Sequence, residues 1–352
     1  MSGIRWGVYG TGVIADDFLK ATRSSLPDSG KKFEGVVQGV AARGIEKAKA
    51  FAALHKIPDV HSSFEALCAA ENIDVVYISS PNALHYSQCL IAIGEGKHVL
   101  CEKTFCLTAK QGKHLIEEAK KKNVFLLEAN WMCFFPYMDQ LRETLSSGTL
   151  GQVQLVEANL GFLTDPEFRQ HLTRHELGGG ALGAVGVYPL TLSQIVHGNA
   201  KPSKIQACGV VDESKTDVQV SVQLCYPSGG VSLLHSSLLT NSSCAARIDG
   251  TKASLMLHGD PHFISCTRTE LLFPDAGGAE GSVTENRYPL PVSSESFGLP
   301  NSAGLLYEIL EVERCIAAGM KESPLWTHQQ TLTNLEIIDE IRQQIGVVFE
   351  TD

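Results

Sequence analysis

The chain predicts an α/β protein in two parts: a doubly wound parallel sheet first, then an α+β region built on a large, open, mostly antiparallel sheet. Three observations carry this. Short apolar runs alternate with helix-patterned segments as far as residue 128. A glycine turn, G-T-G, follows the first of those runs. Beyond residue 151 the runs alternate apolar and polar residues and follow one another at short spacing. Near-continuous apolar strands joined by helices make a parallel sheet covered on both faces. Half-exposed strands separated by turn signals make an antiparallel one.

In order, strands are expected at 4–9, 35–42, 74–79, 98–101 and 124–128, with helices at 13–21, 45–55, 64–70, 85–95 and 108–122. The helix over 45–55 gathers Ala48, Phe51, Ala52 and Leu54 on one apolar face. The helix over 85–95 stops at Gly96, a fitting terminator. The one over 108–122 opens on a threonine cap and closes on lysines, as the helix dipole prefers. Later strands are expected at 153–160, 205–211, 218–226, 231–239, 245–249, 254–258 and 270–273. A glycine-rich stretch at 177–188 leads into a helix, 275–282 reads as an exposed loop, and helices are expected at 305–318 and 330–345.

Composition narrows the function. Lys and Arg number 29 against 39 Asp and Glu, a net charge of −10. A basic footprint for nucleic acid is absent, as are a basic amphipathic stretch and an apolar run of membrane-spanning length. A soluble protein that binds a small molecule is expected. The N-terminus, M-S-G-I-R-W-G-V-Y, enters a strand at once, so no signal peptide is expected. Ten scattered cysteines form no C-x-x-C pair. They read as small core residues in a reducing compartment, which makes the cytoplasm the expected location. The histidines are dispersed, and no metal site is expected.

G-T-G-V-I-A at 10–15 is a G-x-G-x-x-A turn between a strand and a helix. Gly10 permits the tight turn, Gly12 lets a pyrophosphate approach the backbone, and the small residue at 15 lets helix and strand pack closely. Thr11, Val13 and Ile14 complete the candidate cofactor contacts. Residues 1–128 are therefore expected to be a dinucleotide-binding domain, and 129–352 a second domain. An NAD-preferring fold carries Asp or Glu at the end of its second strand. This chain has Ala42 and Arg43 there. Arg43 suits a 2′-phosphate, so NADP is the expected cofactor, with an exposed, solvated arginine as the alternative.

The fourth strand, H-V-L-C, runs into Glu102 and Lys103. Ligands of doubly wound folds bind beyond the carboxyl ends of the strands. Lys103 thus stands where chemistry is expected.

Taken with S-P-N-A-L-H at 80–85, C-E-K at 101–103, W-M-C-F-F-P at 131–136, G-G-G-A-L-G-A-V-G-V-Y-P at 178–189 and I-D-G-T-K-A at 248–253, the chain resembles the glucose-fructose oxidoreductase / inositol dehydrogenase / MocA family. The runs E-K-T-F, F-F-P and G-V-Y-P-L-T look most like its dimeric dihydrodiol dehydrogenases and NADP-dependent D-xylose dehydrogenases. The resemblance implies a Rossmann domain, an open mixed sheet that forms dimers, and hydride transfer between NADP and the carbinol or carbonyl carbon of a sugar, dihydrodiol or dicarbonyl. It implies Tyr188 as acid/base and Lys103 beside the nicotinamide. A lysine cation lowers a phenol's pKa from its ordinary value near 10. It places Ser80, Pro81, Asn82 and Glu102 at the cofactor and His85 at the nicotinamide edge. Trp131, Phe162, Arg174 and His175 are candidates for the substrate, each with an ordinary structural role as the alternative.

The chain departs from the family pattern at Thr104, where proline is common, at Cys133, where the subgroup has arginine, and at Ala184, where an aspartate stands four residues before the acid/base position. A pocket that loses such polar groups loses its hold on hydroxyls. Two other functions stay open: an NADP-binding relative without turnover, serving as a sensor or structural protein, and an isomerase or lyase on the same scaffold.

Overall fold

The computed structural model describes residues 3–275 and 280–350. It divides into two compact units, one of residues 1–134 with 290–331 and the other of 135–289 with 332–352. The first unit thus runs a little past the expected boundary at 128 and takes back a segment from near the end of the chain.

The first unit holds β1 (Arg5–Tyr9), α1 (Val13–Ala21), β2 (Val36–Ala41), α2 (Ile45–His55), β3 (Asp59–Val60), α3 (Phe64–Ala69), β4 (Val75–Ile78), α4 (Asn82–Gly94), β5 (His98–Glu102), α5 (Ala109–Lys122) and β6 (Leu126–Ala129). The strands form one parallel sheet in the order β3-β2-β1-β4-β5-β6. β4 and β6 are buried at every position, which is why their sequences read as unbroken apolar runs apart from Glu128. Phe18 of α1 stacks on Tyr77 of β4 at 3.9 Å between ring centroids, with Trp6 5.5 Å from Phe18. α5 is capped by Thr108, whose hydroxyl accepts the Gln111 amide at 3.1 Å, and ends on Lys120, Lys121 and Lys122. α4 begins at Asn82 rather than at 85, because Pro81 supplies its extended N-cap.

The second unit contains α6 (Pro136–Ser146), β7 (Val153–Gly161), α7 (Pro166–Leu172), α8 (Val187–Val196), β8 (Lys204–Val211), β9 (Asp217–Cys225), β10 (Val231–Ser237), β11 (Ala246–Gly250), β12 (Ser254–Leu257), β13 (Arg268–Pro274) and β14 (Glu280–Arg287). Its sheet runs β14-β13-β12-β11-β7-β10-β9-β8. β7 pairs in parallel with β10, and the other described pairs are antiparallel. Val156, Ala158 and Leu160 of β7 are buried, while Leu155, Glu157 and Asn159 between them are partly or fully exposed. α8 packs on β7 and β10, so one sheet face is covered and the other is open. The loop expected at 275–282 is shorter, because β14 starts at 280 and pairs with β13; residues 276–279 lie outside the described ones. α6 and α7 were not expected from the sequence.

α9 (Leu305–Ala317) belongs to the first unit, and α10 (His328–Ile345) begins there and continues in the second. Residues 175–196 are apolar enough for a membrane span, yet 78% of that window is buried inside the protein. They are core. No disulfide joins the ten cysteines.

Candidate active site

The candidate residues fall in both units.

In the first unit β1 ends at Tyr9 and the chain turns through Gly10. The Gly10 amide donates to the Ala41 carbonyl at 3.1 Å, and its φ is +124°. A Cβ there would collide with Ser79, just past β4. Gly10 therefore sits where the ends of β1, β2 and β4 converge. This is the point where the strand order reverses, the usual ligand crevice of such sheets. Gly12 is the N-cap of α1, with extended backbone and no side-chain cap. A Cβ on Gly12 would meet nothing within 4 Å. The first amides of α1 thus face open space and keep their donors for an anion. The backbone fits a pyrophosphate, and Thr11, Val13 and Ile14 frame the opening.

Arg43 is exposed, two residues beyond β2, and makes no hydrogen bond or ion pair among the described residues. Gly44, the N-cap of α2, is also open on its Cβ side. No carboxylate stands at the end of β2. A cation beside an open helix start fits a phosphate better than a ribose diol.

Ser80 and Pro81 lead from β4 into α4, which opens on Asn82. His85, one turn in, is fully buried. Its Nδ1 lies 2.9 Å from the Thr104 carbonyl and its Nε2 2.7 Å from the Ser80 carbonyl. Burial holds the imidazole below its ordinary pKa. His85 ties the loop after β4 to the loop after β5. Both ring nitrogens face backbone carbonyls.

Glu102 ends β5. Tyr77 donates its hydroxyl to Glu102 Oε1 at 2.6 Å, and the Lys103 amide donates to Oε2 at 3.2 Å. The Lys103–Thr104 peptide is cis. Glu128 of β6 is buried beneath this turn. Its Oε1 accepts the Phe105 amide at 3.2 Å, and its Oε2 accepts Trp326 Nε1 at 3.0 Å and the Thr331 hydroxyl at 2.9 Å. Burial pulls the Lys103 ammonium below its ordinary pKa, and the charges of Glu102 and Glu128 pull it back up. Burial lifts both carboxyls above theirs against those hydrogen bonds. Glu308 of α9 is fully buried, and neither of its oxygens has a hydrogen-bond partner among the described residues. Burial and the two neighbouring carboxylates push it well above the carboxylate range. Trp131 starts a short 3₁₀ turn (Trp131–Phe134) and is half-buried, while Cys133 is fully buried.

In the second unit Tyr188 lies in α8, all of whose residues are buried. A π-helical turn, Leu182–Gly186, precedes it and contains Ala184. Such turns re-aim the side chains that follow and recur at functional sites. The turn is anchored by Asp217, whose Oδ2 accepts the Leu182 amide at 2.6 Å. Burial raises that carboxyl to about 6. Asn334 of α10 donates to the Thr191 hydroxyl at 2.8 Å and fixes the middle of α8. Phe162 is half-buried and meets His262 edge-on at 6.2 Å. Arg174 is exposed and engaged by Glu176 at 2.7 Å. His175 rests against Phe349 at 5.0 Å.

The fold therefore gathers Gly10, Gly12, Arg43, Ser80, Glu102 and Lys103 at the carboxyl edge of one sheet. Arg174 is held by a surface ion pair and His175 by packing. Sequence reasoning gave no role to Glu128, Glu308 or Asp217. For Glu128 a signal existed: an acid ending an otherwise apolar strand, as Glu102 does one strand earlier. Among the described residues no group of three His, Cys, Asp or Glu side chains is placed to hold a metal ion.

Residues 4–129 match an oxidoreductase family with an NAD-binding Rossmann fold, and residues 138–256 match the GFO/IDH/MocA C-terminal domain. Trans-1,2-dihydrobenzene-1,2-diol dehydrogenase of Sus scrofa is 35% identical over 350 residues, and that of Mus musculus 34% over 349, each alignment covering 99% of both chains. Among solved structures, a levoglucosan dehydrogenase in complex with NADH and levoglucosan superposes with a TM-score of 0.83 at 18% identity, over 98% of both chains. A 3-ketoreductase from Actinomadura kijaniata in complex with NADP and TDP-benzene gives 0.79 at 19%, again over 98% of both. Both domains are met in order and the dehydrogenases align from end to end, so the chain belongs to the GFO/IDH/MocA oxidoreductase family.

Proposed function

We propose that this protein is an NADP-dependent oxidoreductase that moves hydride between the nicotinamide and the carbinol or carbonyl carbon of a dihydrodiol, sugar or dicarbonyl. The observation that carries it is Lys103, half-buried between two carboxylates at the strand edge that also bears the open glycine turn. The bound nicotinamide supplies or accepts the hydride. The chain's own groups do the rest. Gly12 and the first amides of α1 hold the pyrophosphate. Lys103 places a positive charge at the oxygen whose carbon changes oxidation state, favouring the alkoxide-like charge that develops there. Tyr188, on the family resemblance, exchanges the hydroxyl proton. Against the family pattern this chain has Ala184 in place of an aspartate and Cys133 in place of an arginine, and fewer polar partners for hydroxyls favour a dihydrodiol over a sugar. The dihydrodiol dehydrogenases among its relatives support the same choice.

The test is nucleotide titration with turnover on trans-dihydrodiols, sugars and dicarbonyls. NADPH is expected to bind more tightly than NADH, and a dihydrodiol or its carbonyl counterpart to turn over. Arg43→Ala should raise the Kd for NADPH roughly ten- to hundred-fold, the worth of one charge-assisted contact, and leave NADH unchanged. Equal affinity for both nucleotides in the wild type would sink the NADP assignment. A second reading rests on Ala184. Tight binding without turnover on any substrate, with turnover gained in Ala184→Asp, would make the chain a nucleotide-binding relative that has lost its chemistry.

The proposal extends to assembly. The open face of the second sheet carries a shallow groove across β7, β8, β9 and β10, lined by Glu157, Gln206, Cys208, Gln223, Leu233 and His235. We propose that a second copy covers it. Sedimentation should give twice 38.0 kDa, and Leu233→Glu, at a side chain 43% exposed, should give the monomer. A wild-type monomer would refute the pairing.

A further inference from the structure

Lys103 has more acid around it than one cation needs. Glu102 precedes it at the end of β5, and Glu128 lies opposite Cys101 on β6 with its Oε1 on the Phe105 amide, two residues past the lysine. Both carboxylates bear on the lysine's charge, and Glu308 of α9 bears on both carboxylates. Tyr77 of β4 donates to Glu102, and His85 of α4 lies within reach of the lysine's charge. If all three acids were ionised, the group would carry a net charge of −2 in a nearly dry interior. The hydrogen bonds divide the roles. Glu102 accepts two donors and Glu128 accepts three. Such donors favour the charged form. Glu308 accepts none.

We propose that Glu128 is a positioning residue for Lys103: its carboxylate, pinned by Trp326, Thr331 and the Phe105 amide, keeps the lysine charged and fixes its place at the end of β5. Glu308 is the neutral member of the set. Its proton prevents a third negative charge from overwhelming the pair. The inference rests on the reading of Lys103 given above, and adds a residue from another strand that touches no reacting atom. The anchor is specific. The Phe105 amide, two residues past the lysine, and the indole of Trp326 grip opposite oxygens of one carboxylate, which leaves it a single orientation beneath the turn.

The experiment is a direct titration of Lys103 in the full chain. Lysines are reductively methylated with ¹³C formaldehyde, and the Lys103 signal is assigned by its loss in Lys103→Arg. In Glu128→Gln the titration midpoint should fall by about one to three units, the effect of removing one close opposite charge. In Glu308→Gln, which exchanges one neutral group for another, it should stay in place. Where Glu128→Gln does not fold, Glu128→Asp keeps the charge but draws it back, and a smaller fall is expected. An unmoved midpoint in the Glu128 variants, with only thermal stability lost, would make Glu128 merely structural and overturn the proposal. A comparable fall in Glu308→Gln would do the same by moving the charge to Glu308. No substrate is needed, so the outcome separates from the functional reading. A shifted midpoint with full turnover in Lys103→Met refutes the function and keeps this inference. An unmoved midpoint with dead Lys103→Met does the reverse.

Discussion

Lys103→Met should abolish turnover while leaving NADPH binding nearly intact. Methionine matches the length of the lysine stem and brings no charge. In the proposed function the nucleotide's phosphates are held elsewhere, by the glycine turn and Arg43, and what the substitution removes is the cation assigned to the reacting oxygen. Groups that stabilise developing charge, or move the proton, are each worth about 10²- to 10⁴-fold, so kcat should fall at least about a hundred-fold. Stability should change in a pH-dependent way. Removing one member of a buried ionic set costs about 3–5 kcal/mol. The carboxyls left behind, Glu102 and Glu128, already sit above their ordinary pKa. A carboxyl raised in the folded state brings no penalty while both states are protonated. Its penalty grows as pH rises from the ordinary glutamate range through the folded value. The loss of Tm in Lys103→Met should therefore be small in acid and widen toward neutral pH. A deficit that is constant across pH, or turnover that survives, would contradict this account.

Gly12→Ala should cripple nucleotide binding without harming the fold, and Gly10→Ala should do the opposite first. The two glycines are two residues apart and look alike in sequence. At Gly12 the backbone is extended, with φ −80°, and a methyl group meets nothing within 4 Å. That open space is where the pyrophosphate must come. Losing two charge-assisted hydrogen bonds at about 1.5 kcal/mol or more each is roughly a hundred-fold or more in Kd. Gly10, with φ +124°, needs a conformation L side chains rarely adopt, and a Cβ would strike Ser79. Strain of this kind costs about 1–3 kcal/mol before the collision is counted. Calorimetry with and without NADPH separates the cases. A Gly12→Ala protein that binds like the wild type would remove the pyrophosphate from this turn.

Much of the first unit was legible because its strands are buried on both faces and its helices carry their own stop signals. The glycine turn was legible because each glycine answers a separate steric need. Other features were hidden for physical reasons. α6 begins on Pro136, within a run that reads equally well as an aromatic cluster. α7 has no buried side chain, so it lacks the apolar periodicity that betrays a helix. β14, E-G-S-V-T-E-N-R, is a polar edge strand that only its pairing with β13 defines. At the site, Lys103 declared itself by ending an apolar strand on a charge. Glu128 did so less plainly, because the partners that give it meaning, Trp326 and Thr331, lie far along the chain. The two carbonyl contacts of His85 also join residues far apart in the chain, Ser80 and Thr104, so its clamp between the loops after β4 and β5 was not legible.

The first unit is completed by residues 290–331. The Leu126 amide donates to the Lys321 carbonyl at 3.1 Å, and His328 Nε2 lies 2.9 Å from the Leu126 carbonyl. This late segment thus closes the outer edge of β6. During synthesis, a nascent chain that has emerged only to residue 289 carries the whole glycine turn but no cover for that edge, and of the three anchors of Glu128 only the Phe105 amide. Domains fold as units while they leave the ribosome, yet this one waits for its final stretch. An unclosed strand edge is sticky. Chains cut off before Trp326 should therefore meet chaperones or clump together, even though the glycine turn and Lys103 have already been made.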